Sequence, residues 1–163
     1  MISCLQKMSQ SKHKDKATIH TDGSCSNNPG NGGWAAILDG YECKVCVCGR
    51  EENSTNNRME LKAFLEALIL AENEYALNSN VAIVVYTDSK YVENPINNGW
   101  IHKWILNEFK GIKNVDLWIK VIEILLRLNV DIVWIRRDKN LEADKFARNA
   151  RDGMYGERAV MII

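Results

Sequence analysis

The chain of 163 residues contains no apolar run close to the roughly 18 residues that a membrane-spanning helix needs. Its opening, MISCLQKMSQSKHKDK, lacks the apolar stretch of a secretory signal. Cysteines are few and odd in number, five with no framework spacing. That fits a reducing cytosol better than a disulfide-stapled secreted protein, so a cytoplasmic location is expected. Neither sign of charge is in excess, with 21 Lys and Arg against 21 Asp and Glu, which argues against a general polyanion binder. A zero sum can still hide segregated signs. Lys and Arg gather in the N-terminal stretch, around Trp100–Lys113 and in Arg136–Lys139, so a nucleic-acid partner stays open.

What is present is an ordinary globular composition, 46% hydrophobic and 26% charged, enough for one domain with a real core. Residues 1–16 read as a flexible polar tail and 17–150 as the domain, and 151–163 is a C-terminal tail, either loosely packed or an added edge strand. The domain opens with ATIHTDGSCSNNPGNGGW. Thr18–Asp22 is β-prone, and the Gly, Asn and Pro after it predict a turn. Strands are expected at Gly33–Asp39 and Tyr41–Arg50, joined at Asp39-Gly40, which starts the sheet as an antiparallel meander. Strand period puts Cys46 and Cys48 on one face and Cys43 on the other, with no fourth ligand near, so small buried hydrophobes are expected rather than structural zinc.

Periodicity predicts a helix from Arg58 to about Asn73, with Leu61, Phe64, Leu65, Leu68 and Ala71 as its apolar stripe. Val81–Tyr86 is a continuous apolar run, as in a strand buried on both faces of a parallel pairing. A short helix is expected at Ser89–Asn94, stopped before Pro95. Trp100 and Trp104 share a helical face flanked by Lys103, Lys110 and Lys113, a mix suited to a sugar–phosphate backbone. A core helix at Asp116–Leu128, a strand at Asp131–Ile135 and a helix capped by Asn140 and running to Ala150 complete the domain.

Four acids stand at comparable places: Asp22 and Asp88 at strand ends, Glu60 and Asp144 near helix starts. An Asp-Gly turn alone accounts for Asp22, and a first-turn Glu rotated into water accounts for Glu60. The recurrence of Thr-Asp-Gly and Thr-Asp-Ser after two strands is harder to assign to turn chemistry, since ligands of α/β sheets gather at the carboxyl ends of strands. Four converging carboxylates repel one another. Two Mg²⁺ ions about 4 Å apart relieve that repulsion and suit phosphodiester cleavage.

In this order, TDGSCSNNPGNGG, STNNRMEL, YTDSKYV, the GWIHKW and KNVDLW region and NLEADKFA resemble the type 1 ribonuclease H family over about residues 17–150. The resemblance implies an α/β ribonuclease H-like fold, a mixed five-stranded sheet flanked by helices. It implies hydrolysis of the RNA strand of RNA–DNA hybrids by a monomer with two Mg²⁺ ions, Mn²⁺ substituting, leaving 3′-hydroxyl and 5′-phosphate ends. Matched to the family's motifs, Asp22, Glu60, Asp88 and Asp144 are its metal-binding catalytic carboxylates. Asn28, Thr55 and Asn56 match positions that hold the hybrid's backbone, Asn57 a minor-groove contact, and Trp100 the aromatic lining the DNA strand's sugar channel. Lys90 stands where a Gln contact is common.

The chain departs from the family in three places. The loop that commonly carries a His before the last helix is here Arg136-Arg137-Asp138-Lys139, while His13, His20 and His102 lie elsewhere. The lysine-rich handle is shortened to Ile105–Lys113. Lys90 replaces the usual Gln. A resolvase- or integrase-like DNA cutter would share the four acids and lack the Asn/Thr set; a non-catalytic relative would be expected to have lost an acid.

Overall fold

The computed structural model describes residues 16–40, 43–77 and 80–163. Apart from Lys16, the expected N-terminal tail lies outside the described residues, as do His13 and the expected strand start at Tyr41. The architecture is a six-stranded sheet in the order β5-β4-β1-β2-β3-β6. Its strands are β1 (Lys16–Cys25), β2 (Gly30–Asp39), β3 (Lys44–Ser54), β4 (Ala82–Thr87), β5 (Val130–Trp134) and β6 (Arg158–Ile162). The expectation of five strands is corrected here. β6 comes from the C-terminal segment and pairs antiparallel to β3, Val45 opposite Ile162. This gives β3 a backbone partner along an edge that would otherwise be open.

β1, β2 and β3 form the expected antiparallel meander, while β4 pairs parallel to both β1 and β5. The apolar run of β4 is therefore flanked on both edges, with Val85 fully buried. β1 is longer than the turn residues after Asp22 suggest. It continues to Cys25, with Asp22 opposite Ala35, Ser24 opposite Gly33 and Cys25 opposite Gly32. Asp22 thus lies inside a strand, not at the mouth of a loop. Pairing with the glycine-rich start of β2 overrides the local turn preference of Gly23-Ser24.

Five helices are described: α1 (Asn56–Tyr75), α2 (Lys90–Asn97), α3 (Trp100–Leu106), α4 (Val115–Leu125) and α5 (Leu141–Arg151). Alternation along the strands sorts the core into two clusters. Ile19, Ala36, Leu38, Val45 and Val47 pack under α1 and α4, with Leu61, Phe64, Leu68, Trp118 and Val121. Ala35, Ile37, Cys46 and Cys48 meet Ala143, Ala147 and Ala150 of α5 on the opposite face. That helix sits close because a β-carbon at Gly33 would lie 2.2 Å from the Ala147 carbonyl oxygen. Cys46 and Cys48 are buried free thiols, as expected. Cys43 packs, partly buried, against the core on the α1 side.

Two helices differ from their expected extents. The polar stretch before α1 is not a turn: β3 runs to Ser54 and Thr55 caps the helix directly, its Oγ1 accepting from Arg58 N–H at 3.2 Å. α2 runs through Pro95 to Asn97. Pro95 is buried beside Val92 in this short helix, and that packing offsets the backbone hydrogen bond it forfeits.

Candidate active site

β1 and β4 run parallel with Thr21 opposite Thr87, so the residues after them, Asp22 and Asp88, emerge side by side. Thr21 Oγ1 donates to the Tyr86 carbonyl at 3.1 Å, and Thr87 Oγ1 accepts from Ser89 N–H at 3.0 Å. Glu60, on the first turns of α1, reaches the same point, its Oε2 accepting from Gly23 N–H at 3.1 Å. One carboxylate oxygen from each of Asp22, Glu60 and Asp88 lies within 4.8 Å of the others. Among the described residues, this is the only such group of three or more potential metal ligands.

The three acids are nearly sealed from solvent, Asp22 and Glu60 each 3% exposed. Burial, then the charges of Asp88 and Asp144, push the Asp22 carboxyl up to about 8. Burial, then Asp22 and Asp88, push Glu60 well above the usual carboxylate range. An all-oxygen cluster whose members resist ionising together is chemically matched to a hard divalent cation.

Asp144 stands just outside this group. Its charge helps raise the Asp22 carboxyl, and its own carboxylate pairs with Arg148 at 2.5 Å. The loop before α5 folds as a single 3₁₀ turn, Arg137–Lys139. It brings Arg137 Nε to 3.9 Å from Asp88 Oδ2 while leaving the guanidinium largely in solvent.

The other expected residues fall into three places. Asn28, Thr55 and Asn56 come together at the start of α1, the helix that carries Glu60, with Asn28 Oδ1 accepting from Asn56 N–H at 2.7 Å. Asn57 is exposed on the same helix start. Lys90 pairs with Glu93 at 3.1 Å and lies 4.5 Å over the Trp134 ring. Trp100 is 43% exposed on α3, whereas Trp104 is turned inward, 5.1 Å from Trp118 edge to face. His20 stacks on Tyr86 at 4.8 Å, and burial lowers its pKa, which fits a packing role.

Two residues near the acids were not singled out as site residues from the sequence. Trp134 donates its indole N–H to the Asp88 carbonyl at 3.0 Å. An aromatic at the end of the last strand, just before a basic loop, is the signal that points to it. Asn140 was expected as a helix cap. Its side chain makes no capping bond and instead donates to the Thr21 carbonyl at 2.8 Å.

Carboxylates brought together from inside β1, from the end of the parallel β4 and from the first turns of α1 define an α/β protein with a candidate divalent-metal centre. The RNase H family model matches residues 14–152. A ribonuclease H of Caldicellulosiruptor saccharolyticus is 48% identical over 120 residues, 71% of this chain and 79% of that protein. One from Wolbachia sp. subsp. Drosophila simulans is 40% identical over 146 residues, 84% of this chain and 96% of that one. Among solved structures, LC11-RNase H1 in complex with an RNA/DNA hybrid aligns at TM-score 0.67 and 21% identity, over 85% of this chain and 98% of that one. The chain belongs to the RNase H family.

Proposed function

We propose that this chain is an endoribonuclease that hydrolyses the RNA strand of RNA–DNA hybrids, leaving 3′-hydroxyl and 5′-phosphate ends. The observation that carries the reading is the convergence of Asp22, Glu60 and Asp88 within 4.8 Å in a chain of this family. Asp144 is the fourth carboxylate, next to Asp22 and free to turn from Arg148 toward the same centre. The raised Asp22 and Glu60 carboxyls and the all-oxygen donor set support two Mg²⁺ ions, with Mn²⁺ as a substitute. Bound there, the ions supply an activated water and stabilisation of the leaving alkoxide.

The remaining residues bind and orient. Asn28, Thr55 and Asn56 present amide and hydroxyl groups to the backbone of the hybrid, including a DNA phosphate, within reach of the acids. Asn57 reaches the minor groove, where a strand with 2′-hydroxyls differs from one without. Trp100 offers its exposed ring to the DNA sugars, and Lys90 is held over Trp134, the ring whose N–H bonds the Asp88 carbonyl. The named relative bound to an RNA/DNA hybrid supports this substrate class.

All four acids come from one chain, which supports action as a monomer. The free thiols Cys25, Cys46 and Cys48 support a cytoplasmic setting. No described helix is long and apolar enough to cross a membrane. The deciding experiment offers matched RNA–DNA hybrid, double-stranded RNA and duplex DNA to the purified protein with Mg²⁺. Cleavage of the RNA strand of the hybrid alone is expected. Cleavage of duplex DNA would favour a DNA-cutting relative, and no cleavage would favour a binding module.

A further inference from the structure

Asn140 is 1% exposed and lies at the start of α5, where an Asn ordinarily turns its side chain back on its own helix. Here the amide points the other way. Its Nδ2 donates to the Thr21 carbonyl at 2.8 Å and reaches Asp88 Oδ2 at 3.5 Å. The first partner immediately precedes Asp22, and the second is a carboxylate oxygen of the cluster itself. Through its backbone carbonyl, Asn140 also accepts from Asp144 N–H at 3.1 Å. One buried residue thus touches β1 beside Asp22, the Asp88 carboxylate after β4, and the helical turn that carries Asp144.

The orientation of the amide is fixed by chemistry. Both neighbours are acceptors, so only the NH₂ end can face them, and a flipped amide would set oxygen against two oxygens. The other end, Oδ1, has no protein partner. A buried acceptor left without a donor is costly, so the bonds made by the NH₂ end are what hold the amide in this orientation.

We propose that Asn140 is a positioning residue for the carboxylate cluster: its buried amide clamps β1 at Thr21 and the end of β4 to the start of α5, fixing how Asp88 and Asp144 stand relative to Asp22. Among the described residues, no other side chain bonds both the Thr21 carbonyl and the Asp88 carboxylate. Loss of the clamp leaves the three acids present but their spacing free to relax. Charge repulsion then spreads them, and metal affinity falls before hybrid binding does. Groups that orient metal ligands act in this way.

The inference rests on the cluster being the metal-holding site, and the test separates the two. Mn²⁺ is titrated by calorimetry into the wild-type protein, Asn140→Ala and Asn140→Leu. The leucine variant retains the volume and removes the donor. Both variants should bind Mn²⁺ about tenfold or more weakly. Hybrid affinity in Ca²⁺ should stay within about twofold, and the lost rate should be partly restored at high Mn²⁺. Leucine that binds Mn²⁺ like the wild type overturns the clamp and leaves a packing role. Wild-type protein that binds no Mn²⁺ overturns the metal reading beneath it. Should both variants fail to fold, NMR of the unmodified protein decides. The Asn140 side-chain amide protons should exchange slowly and shift on Mg²⁺ addition; fast exchange without a shift overturns the proposal.

Discussion

The backbone N–H of Gly23 donates to Oε2 of Glu60 at 3.1 Å, and a β-carbon at position 23 would stand 2.3 Å from the backbone nitrogen of Glu60. Strand β1 and helix α1 therefore meet backbone to backbone at the point where their acids converge. Gly23→Ala should push the helix start away from the strand, at a cost of about 3 kcal/mol in stability. Cleavage should fall further than stability alone explains, because Glu60 is carried away from Asp22. Thermal melts and single-turnover rates measure the two separately. A Gly23→Ala protein with wild-type rates would show that the close approach is not required.

The glycine illustrates what was and was not legible beforehand. Asp22, Glu60 and Asp88 were readable because a carboxylate on an apolar face or after a buried strand is unusual in itself. The continuation of β1 through Gly23 to Cys25 was not, since Gly-Ser reads locally as a turn and only pairing with Gly32 and Gly33 makes it strand. β6 was one of two open readings, because Arg158–Ile162 becomes a strand by joining the edge of β3, a distant contact. Asn140 was readable as a helix cap, and only the packing of α5 against β1 reveals which way its amide turns.

Asp22→Asn and Asp88→Asn should each abolish cleavage while hybrid binding persists. Each removes a charged oxygen from the three-acid group but leaves Asn28, Thr55, Asn56 and Trp100 in place. Gel-shift affinity in Ca²⁺, beside cleavage at saturating Mg²⁺, provides the comparison. Near-wild-type turnover by either variant would sink the assignment.

The same acids give the metal-free protein a defined pH dependence. Asp22 is pushed from the ordinary 3.8 up to about 8 in the folded chain, and Glu60 moves the same way. Between those two values the folded state holds protons that the unfolded state releases. The stability tied to Asp22 is therefore fully present below about 4 and is lost as pH rises through about 8. Asp22→Asn removes this loss, so its melting temperature should exceed that of the wild type by a margin that grows across that window. Adding Mg²⁺ should shrink the margin at high pH by stabilising the ionised wild-type cluster. A margin constant with pH would contradict the burial of these carboxyls.

Cys46 and Cys48 are fully buried against the α5 face of the sheet, among Ala35, Ile37 and Ala147. Replacing both with Ala or Val should cost about 1 kcal/mol each and leave cleavage unchanged. Metal analysis of protein purified without added metal should find no zinc. Zinc in a one-to-one ratio would give these thiols a different role.

Short as it is, the basic region still presents Lys103, Lys110 and Lys113 to solvent, and the Trp100 ring is exposed as well. Binding to a duplex weakens with salt by a log–log slope of roughly −0.9 per phosphate contacted. With so few lysines, the slope should be shallower than for a relative with a full basic handle. Trp100 should then carry a larger share of the affinity, since ring-on-sugar contact is little screened by salt. Trp100→Ala should weaken hybrid binding with its salt slope nearly unchanged. Lys110→Ala combined with Lys113→Ala should do the opposite, flattening the slope by about two contacts at most. Hybrid affinity against salt in Ca²⁺ reads both. A steep slope untouched by the lysine changes would move the phosphate contacts to Arg136 and Arg137, whose loop already borders Asp88.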